Sequence, residues 1–289
     1  MHPIVRASFA DLTTPHEGDI PHMYRDSLGL VTVAIGQLID FSGKLDTRAL
    51  AWPWTLGNGR LATDAQVRAE FARIKAGPLY NRGAASVEKI ATMHLPRPDR
   101  VAILDATLLG MARTLVQQLP DWGTWPADAQ LAMLSSVWNL GASLSGWPTL
   151  WQRLRARDWL YASDSYKPGD ATAAKAARWA ETRLLWTYAA LVDSDLGGAA
   201  LIPRDQLQRP HIRLAELRRV IPRASGWLVQ RQLKVTGHYT LKLDGQFGPK
   251  SQAALQAFTK GAKLTSAPAS RATLTTLGKA ARLTIPVED

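Results

Sequence analysis

The residues best placed by type and spacing to do chemistry come early in the chain, in HEGDIPHMYRDSLGLVTVAIGQL, residues 16–38. It holds a glutamate, Glu17, an aspartate nine positions on, Asp26, and a threonine six further, Thr32, with Tyr24 between the two acids. Cleaving a glycosidic bond takes one carboxylic acid to protonate the leaving oxygen and a second carboxylate to activate water or stabilise the oxocarbenium-like transition state. The two acids must then sit in different surroundings. A glutamate at the end of the mainly apolar IVRASFADLTTPHEG is expected to be partly desolvated and kept protonated, whereas an aspartate on a polar turn, YRDSLG, stays ionised. Taken one at a time, these residues read more readily as a solvated helix residue, a turn former and a strand residue, and it is their joint spacing that points to chemistry.

Other chemistries find less support. The chain has no cysteine, which excludes disulfides, a thiolate nucleophile and a Cys-based zinc site. Its six histidines, at 2, 16, 22, 94, 211 and 238, show no metal-ligand spacing, and His16 and His22 beside Glu17 are expected at the surface. No cofactor or metal is expected. Trp52, Trp54, Trp122, Trp125 and Trp147 lie in loop-like sequence, where an indole can stack on a sugar, although packing is the commoner use of such residues.

The elements that would hold this group follow from periodicity. YRDSLGLVTVAIGQL is rich in β-branched residues and punctuated by Gly29 and Gly36, which predicts a small hairpin or two short strands. Helices are predicted over 63–77, with Thr63 as N-cap and Val67, Phe71 and Ile74 on one face, and over 128–143, with Asp128 as N-cap and apolar residues nearly all round. Another starts at Pro148 in WPTLWQRLRARDWLYAS, and a long one is predicted in ATAAKAARWAETRLLWTYAALV.

Charge and aromatic content change together near residue 200. The net charge is +11, and residues 201–289 carry 15 Lys/Arg and 5 Asp/Glu against 20 and 19 before them. Ten of the 11 tryptophans precede residue 200. These shifts predict two domains, 1–200 and 201–289, joined near 197–210, GGAALIPRDQLQRP. The second reads as three helices, in SGWLVQRQLKVTG, GPKSQAALQAFTKGAKL and SRATLTTLGKAAR.

Two stretches carry family resemblances. The string from Glu17 through Tyr24, Asp26, Gly29, Thr32 and Gly36 resembles the catalytic signature of the phage-type lysozymes (endolysins, glycoside hydrolase family 24), and VWNLG at 137–141 resembles that family's core helix. The resemblance implies a mainly α (α+β), lysozyme-like domain with a small β-hairpin region. It implies Glu17 as general acid, Asp26 as the carboxylate working with water and Thr32 as the residue that positions the water. Tyr24, Leu38, Trp138 and Asn139 would bind substrate, and Arg178 or Arg183 would pair with Glu17. The implied substrate is the β-1,4 bond from N-acetylmuramic acid to N-acetylglucosamine in peptidoglycan. Gln37 stands where the family usually has histidine, and the match is thin over 40–125. DGQFGPKSQAALQAF, 244–258, resembles the signature of a peptidoglycan-binding domain, with Ala253, Leu255 and Phe258 facing its core.

The expectation is therefore a monomeric peptidoglycan hydrolase whose partners are glycan strands and, through its basic tail, anionic envelope polymers. A non-catalytic wall-binding protein and a lytic transglycosylase are the alternatives, the latter disfavoured by the Asp26/Thr32 pair. Nucleic acid is not an expected partner, since the basic residues are scattered and form no recognition motif. The N-terminus has no signal-peptide pattern and no run is long enough to span a membrane. The expected route is synthesis in the cytoplasm and delivery to the wall, as a phage endolysin or a secreted antibacterial effector; an effector implies an immunity protein.

Overall fold

A computed structural model describes residues 1–77, 84–141, 146–166, 173–194 and 223–283, and among them the chain is mainly helical with small antiparallel sheets. It divides into two compact units, one of residues 8–113 and one of residues 1–7 with 114–289. The predicted junction at 197–210 lies outside the described residues.

In the unit of residues 8–113, helix α1 (Pro3–Glu17), from Ser8 onward, leads into a three-stranded antiparallel sheet of β1 (Ile20–Arg25), β2 (Val31–Ala34) and β3 (Gln37–Leu38), in that order. Two further strand pairs follow: β4 (Asp40–Phe41) with β5 (Lys44–Leu45), and β6 (Thr55–Leu56) with β7 (Met93–His94). Helix α2 (Asp64–Ala76) forms where periodicity places it. Thr63 accepts from the Gln66 N–H while the Gln66 side chain accepts from the Thr63 N–H, a reciprocal cap that satisfies two otherwise orphaned donors. Its Val67, Phe71 and Ile74 are buried against Val31, Val33, Ile39 and Trp54. Each such side chain contributes about 1.5–3 kcal/mol on leaving water, and together they fix the sheet on α2. α3 (Ala84–Glu88) and α4 (Arg97–Gln118) complete this unit's elements, α4 as far as Arg113.

The other unit contains α5 (Ala127–Leu140), α6 (Pro148–Arg155), α7 (Trp159–Ser165) and α8 (Ala173–Val192). WPTLWQRLRARDWLYAS thus forms two helices, because Arg157 adopts φ +55° between them. Asp128 is not the N-cap expected of it. Pro126 takes that position, and Asp128 sits in the first turn of α5 with no exposed surface. Trp54, Trp122 and Trp125 are buried, so the packing use prevails for them, while Trp52 and Trp147 are partly exposed. Trp159 stacks on Trp186 at 5.7 Å and meets Trp125 edge-on at 4.8 Å.

The tail forms α9 (Ala224–Val235), α10 (Pro249–Gly261) and α11 (Arg271–Ala281) around Leu233, Tyr239, Leu255, Phe258 and Leu277. Ala253 is exposed and Ala254 is buried in its place, a one-residue shift that turns a helix position by about 100°. Buried Gln230 ties the turn between α9 and α10 together, donating to Asp244 Oδ1 at 2.8 Å and accepting from the Gly245 N–H at 2.9 Å. A Cβ on Gly226 would lie 2.2 Å from the Gly245 carbonyl oxygen, so only glycine allows this approach. α8 and α9 also share a core, in which Tyr188, Leu191 and Val192 meet Trp227 and Leu228.

Candidate active site

Glu17, Tyr24, Asp26, Thr32 and Leu38 all belong to the unit of residues 8–113. Glu17 ends α1, where Gly18 at φ +76° turns the chain toward β1. Its half-buried side chain lies against the β2–β3 turn. A Cβ on Gly36 would stand 2.7 Å from Glu17 Oε2 and 2.9 Å from its Cδ and Cγ. Gly36 is also at φ +64°, a left-handed conformation that side chains disfavour. Two separate reasons therefore call for glycine at this position.

Asp26 opens the β1–β2 turn. Its Oδ1 accepts from the Leu28 and Leu30 N–H groups, both at 2.9 Å, and its backbone N–H donates to the Leu30 carbonyl at 2.9 Å. One carboxylate oxygen is thereby committed to shaping the turn. Oδ2 makes no hydrogen bond to a described residue, so it keeps its accepting capacity.

Across the sheet, Tyr24 faces Thr32 and Thr32 faces Leu38, which forms one cross-strand row with side chains on the same face. Burial, followed by the negative charges of Glu17 and Asp26, pushes the Tyr24 phenol up to about 12. Tyr24 therefore feels both acids. It stays a neutral hydroxyl at any ordinary pH, because an anion there would be desolvated beside two carboxylates. Thr32 is 6% exposed, and its Oγ1 is buried with no hydrogen-bond partner among the described residues.

A set of polar contacts that sequence reasoning missed holds this arrangement from behind. Asp40 has a fully buried side chain, accepts from Lys75 Nζ at 2.6 Å, and also accepts from the Val31 and Gly43 N–H groups. Burial alone would raise its pKa, but the Lys75 hydrogen bond, the Val31 N–H and the Lys75 charge outweigh it and lower the pKa. Lys75 donates at 3.1 Å to the Gly29 carbonyl as well, inside the turn that Asp26 opens. Asp40 and Lys75 are 35 positions apart with no local spacing to announce them. Arg100 binds Asp19 through two nitrogens, at 2.5 and 3.0 Å, two residues beyond Glu17. Gln37 accepts from Thr107 at 2.9 Å. His22 is buried, not at the surface, with Nε2 at 3.0 Å from the Ala84 carbonyl oxygen.

Trp138 and Asn139 belong to the other unit, on the last turn of α5, and are partly exposed. In that unit Arg183 donates through Nε to the Ser163 carbonyl at 2.6 Å. Among the described residues no group of His, Asp or Glu has the arrangement of a metal site, and no helix is long and apolar enough to cross a membrane.

Comparison with models of known protein families and with curated proteins finds no match to this sequence.

Proposed function

We propose that this protein is a peptidoglycan hydrolase, a muramidase that cuts the β-1,4 bond between N-acetylmuramic acid and N-acetylglucosamine. The observation that carries the reading is the shared neighbourhood of Tyr24, whose phenol is raised by burial and then by the charges of both Glu17 and Asp26, while its strand partner Thr32 holds a buried hydroxyl with no described partner. Two carboxylates and a hydroxyl near one strand pair support this reading, because glycoside hydrolysis calls for a pair of acids.

In this reading Glu17 gives its proton to the glycosidic oxygen as the bond to the anomeric carbon breaks. Asp26, anchored through Oδ1, turns Oδ2 toward the developing positive charge and the incoming water, and Thr32 Oγ1 holds that water. The bound water's oxygen joins the anomeric carbon and its proton restores the carboxyl pair. Tyr24 donates a neutral hydrogen bond toward the sugar and adds no negative charge of its own. Leu38, beside Thr32, offers an apolar contact for the ring. The tail, with α9–α11 and most of the chain's excess positive charge, is the wall-binding part, drawn to anionic envelope polymers by long-range attraction.

The test is loss of turbidity of permeabilised bacteria, comparing wild type with Glu17→Gln. The expected result is loss of lysis by a factor of about 100 or more, the scale of one general acid, with an unchanged melting temperature. Equal lysis by the variant sinks the catalytic assignment and leaves a binding protein. Fragments ending in reducing sugars are expected from the wild type, and anhydro ends would replace hydrolysis with transglycosylation.

A further inference from the structure

Away from these acids, the side chains where α7, α8, α9 and α11 meet hold an excess of buried positive charge. Arg231 on α9 is 3% exposed and Arg183 on α8 is 4% exposed. Arg231 donates through Nη2 to Asp164 Oδ1 on α7, while its Nε is buried with no hydrogen-bond partner among the described residues. Arg183 is clamped beside the same aspartate: its Nε donates to the Ser163 carbonyl at 2.6 Å, and Ser163 Oγ donates back to the Arg183 carbonyl at 3.1 Å. That leaves its two terminal nitrogens without a hydrogen bond to any described residue. Arg282 ends α11 in the left-handed region at φ +53° and is exposed. The next residue brings it to the group, since Gln232, adjacent to Arg231, donates to the Leu283 carbonyl at 2.7 Å.

Asp164 pairs with Arg231 and its charge acts on Arg183, whose guanidinium also feels Arg231 and Arg282; with its side chain 48% exposed, Asp164 marks the side on which solvent reaches the group. Burial, opposed by the Asp164 charge and reinforced by Arg231 and Arg282, holds the Arg183 guanidinium below its ordinary range. The buried, unpaired Nε of Arg231 is costly unless something accepts from it. The planar forks of guanidiniums match the paired oxygens of a carboxylate or phosphate.

We propose that Arg183, Arg231 and Arg282 form an oxoanion-binding site, for a phosphate or carboxylate group, at the seam between the tail helices and α7–α8. Asp164 neutralises one of the three charges and orients Arg231; the other two remain for the ligand. The site stands apart from the Glu17 chemistry, and its ligand need not be the bond that is cut.

The experiment titrates inorganic phosphate into the full-length protein at constant ionic strength, set with chloride, and follows heat and melting temperature. Saturable binding with a rise in melting temperature is expected. Arg282→Ala removes an exposed side chain that makes no hydrogen bond to a described residue, so the fold is expected to persist. It should weaken phosphate about tenfold, the loss of one charge-assisted contact. Lys250→Ala, an equal change in charge at an exposed position on α10, should leave the affinity unchanged. Equal weakening by both variants, or no saturation, overturns the site in favour of diffuse attraction. A parallel titration with a soluble muropeptide bearing free carboxylates separates the sources: binding lost in Arg282→Ala identifies a stem-peptide carboxylate, and phosphate binding without it identifies a phosphorylated ligand. Glu17→Gln should bind phosphate like wild type, so failure here and failure of the muramidase reading are distinguishable.

Discussion

Replacing Gly36 with alanine should separate the position of the Glu17 carboxyl from the stability of the fold. Two costs arise. An alanine at φ +64° is strained by about 1–2 kcal/mol, as for any L-residue in the left-handed region. Its Cβ also falls 2.7–2.9 Å from Oε2, Cδ and Cγ of Glu17, against 3.4 Å for an ordinary contact. The glutamate is a flexible side chain and the turn is backbone, so the glutamate moves, by roughly 0.5–1 Å, the displacement at which a catalytic group loses about 100-fold in rate. Gly59→Ala is the matched control. Gly59 is at φ +79° with nothing within 4 Å of its would-be Cβ, so it incurs the strain without touching an acid. Lytic rate on permeabilised cells and thermal melting are measured for both. Similar falls in melting temperature are expected, with a large loss of lysis for Gly36→Ala alone. Equal activity in the two variants, both folded, would refute the claim that Glu17 is positioned by this turn.

The other predictions concern groups with displaced titrations. Asp40→Asn should cost about 2 kcal/mol, below the usual range for a broken buried pair because Lys75 is 32% exposed and keeps some hydration. The Asp40 pKa is lowered in the fold, so its contribution is present above the ordinary aspartate value of about 3.9 and is lost as pH falls through the folded value; the gap between wild type and Asp40→Asn in thermal melts should close in acid. Asp128 behaves oppositely. Burial raises its pKa well above the ordinary value, so its own contribution to stability is greatest below about pH 4 and is lost as pH rises through the folded value, at about 1.4 kcal/mol per pH unit; denaturant melts of Asp128→Asn should lack this component. An ultraviolet titration should show one tyrosine ionising near pH 12, absent in Tyr24→Phe and shifted downward in Glu17→Gln, where one of the two charges that raise it is gone.

What could be read in advance was what local chemistry decides. The limits of α2 follow from Thr63, Gln66 and Gly77, and its buried face from Val67, Phe71 and Ile74, all within one helix's length. Two features of the tail are of the same kind: Pro249 at the start of α10, where its missing N–H costs nothing, and the tight turn at Gly245, which sits at φ +69°. Nonlocal packing was illegible. The close approach of Gly226 to the Gly245 carbonyl joins residues far apart in the chain, and nothing beside Gly226 announces it. The break at Arg157 has neither glycine nor proline to mark it. In α4, Val101 and Val116 face outward and blur the apolar stripe on which periodicity depends. Asp128 reads as a solvated cap, because no local signal says that the start of α5 is covered. Glu17, Asp26 and Thr32 stand out as candidates by spacing, but the Asp40–Lys75 pair that braces the β1–β2 turn depends on a contact across 35 residues.

Thr32 gives the sharpest separation of chemistry from packing. Its hydroxyl is buried and makes no hydrogen bond to a described residue, in the cross-strand row between Tyr24 and Leu38. A buried hydroxyl held only for the fold would be satisfied, since leaving one unsatisfied costs about 1–3 kcal/mol. Valine has nearly the same shape and a better strand propensity, and Val31 and Val33 on either side are fully buried already. Thr32→Val should therefore raise stability by about 1 kcal/mol, the gain from deleting an unpaired polar group. If Thr32 holds the attacking water, the same change should lower the lytic rate about 100-fold or more, as loss of a positioning group does. A more stable and less active variant is the signature of a residue kept for chemistry. Thr32→Val that loses stability, or that gains it with full activity, would leave the hydroxyl without the role proposed for it.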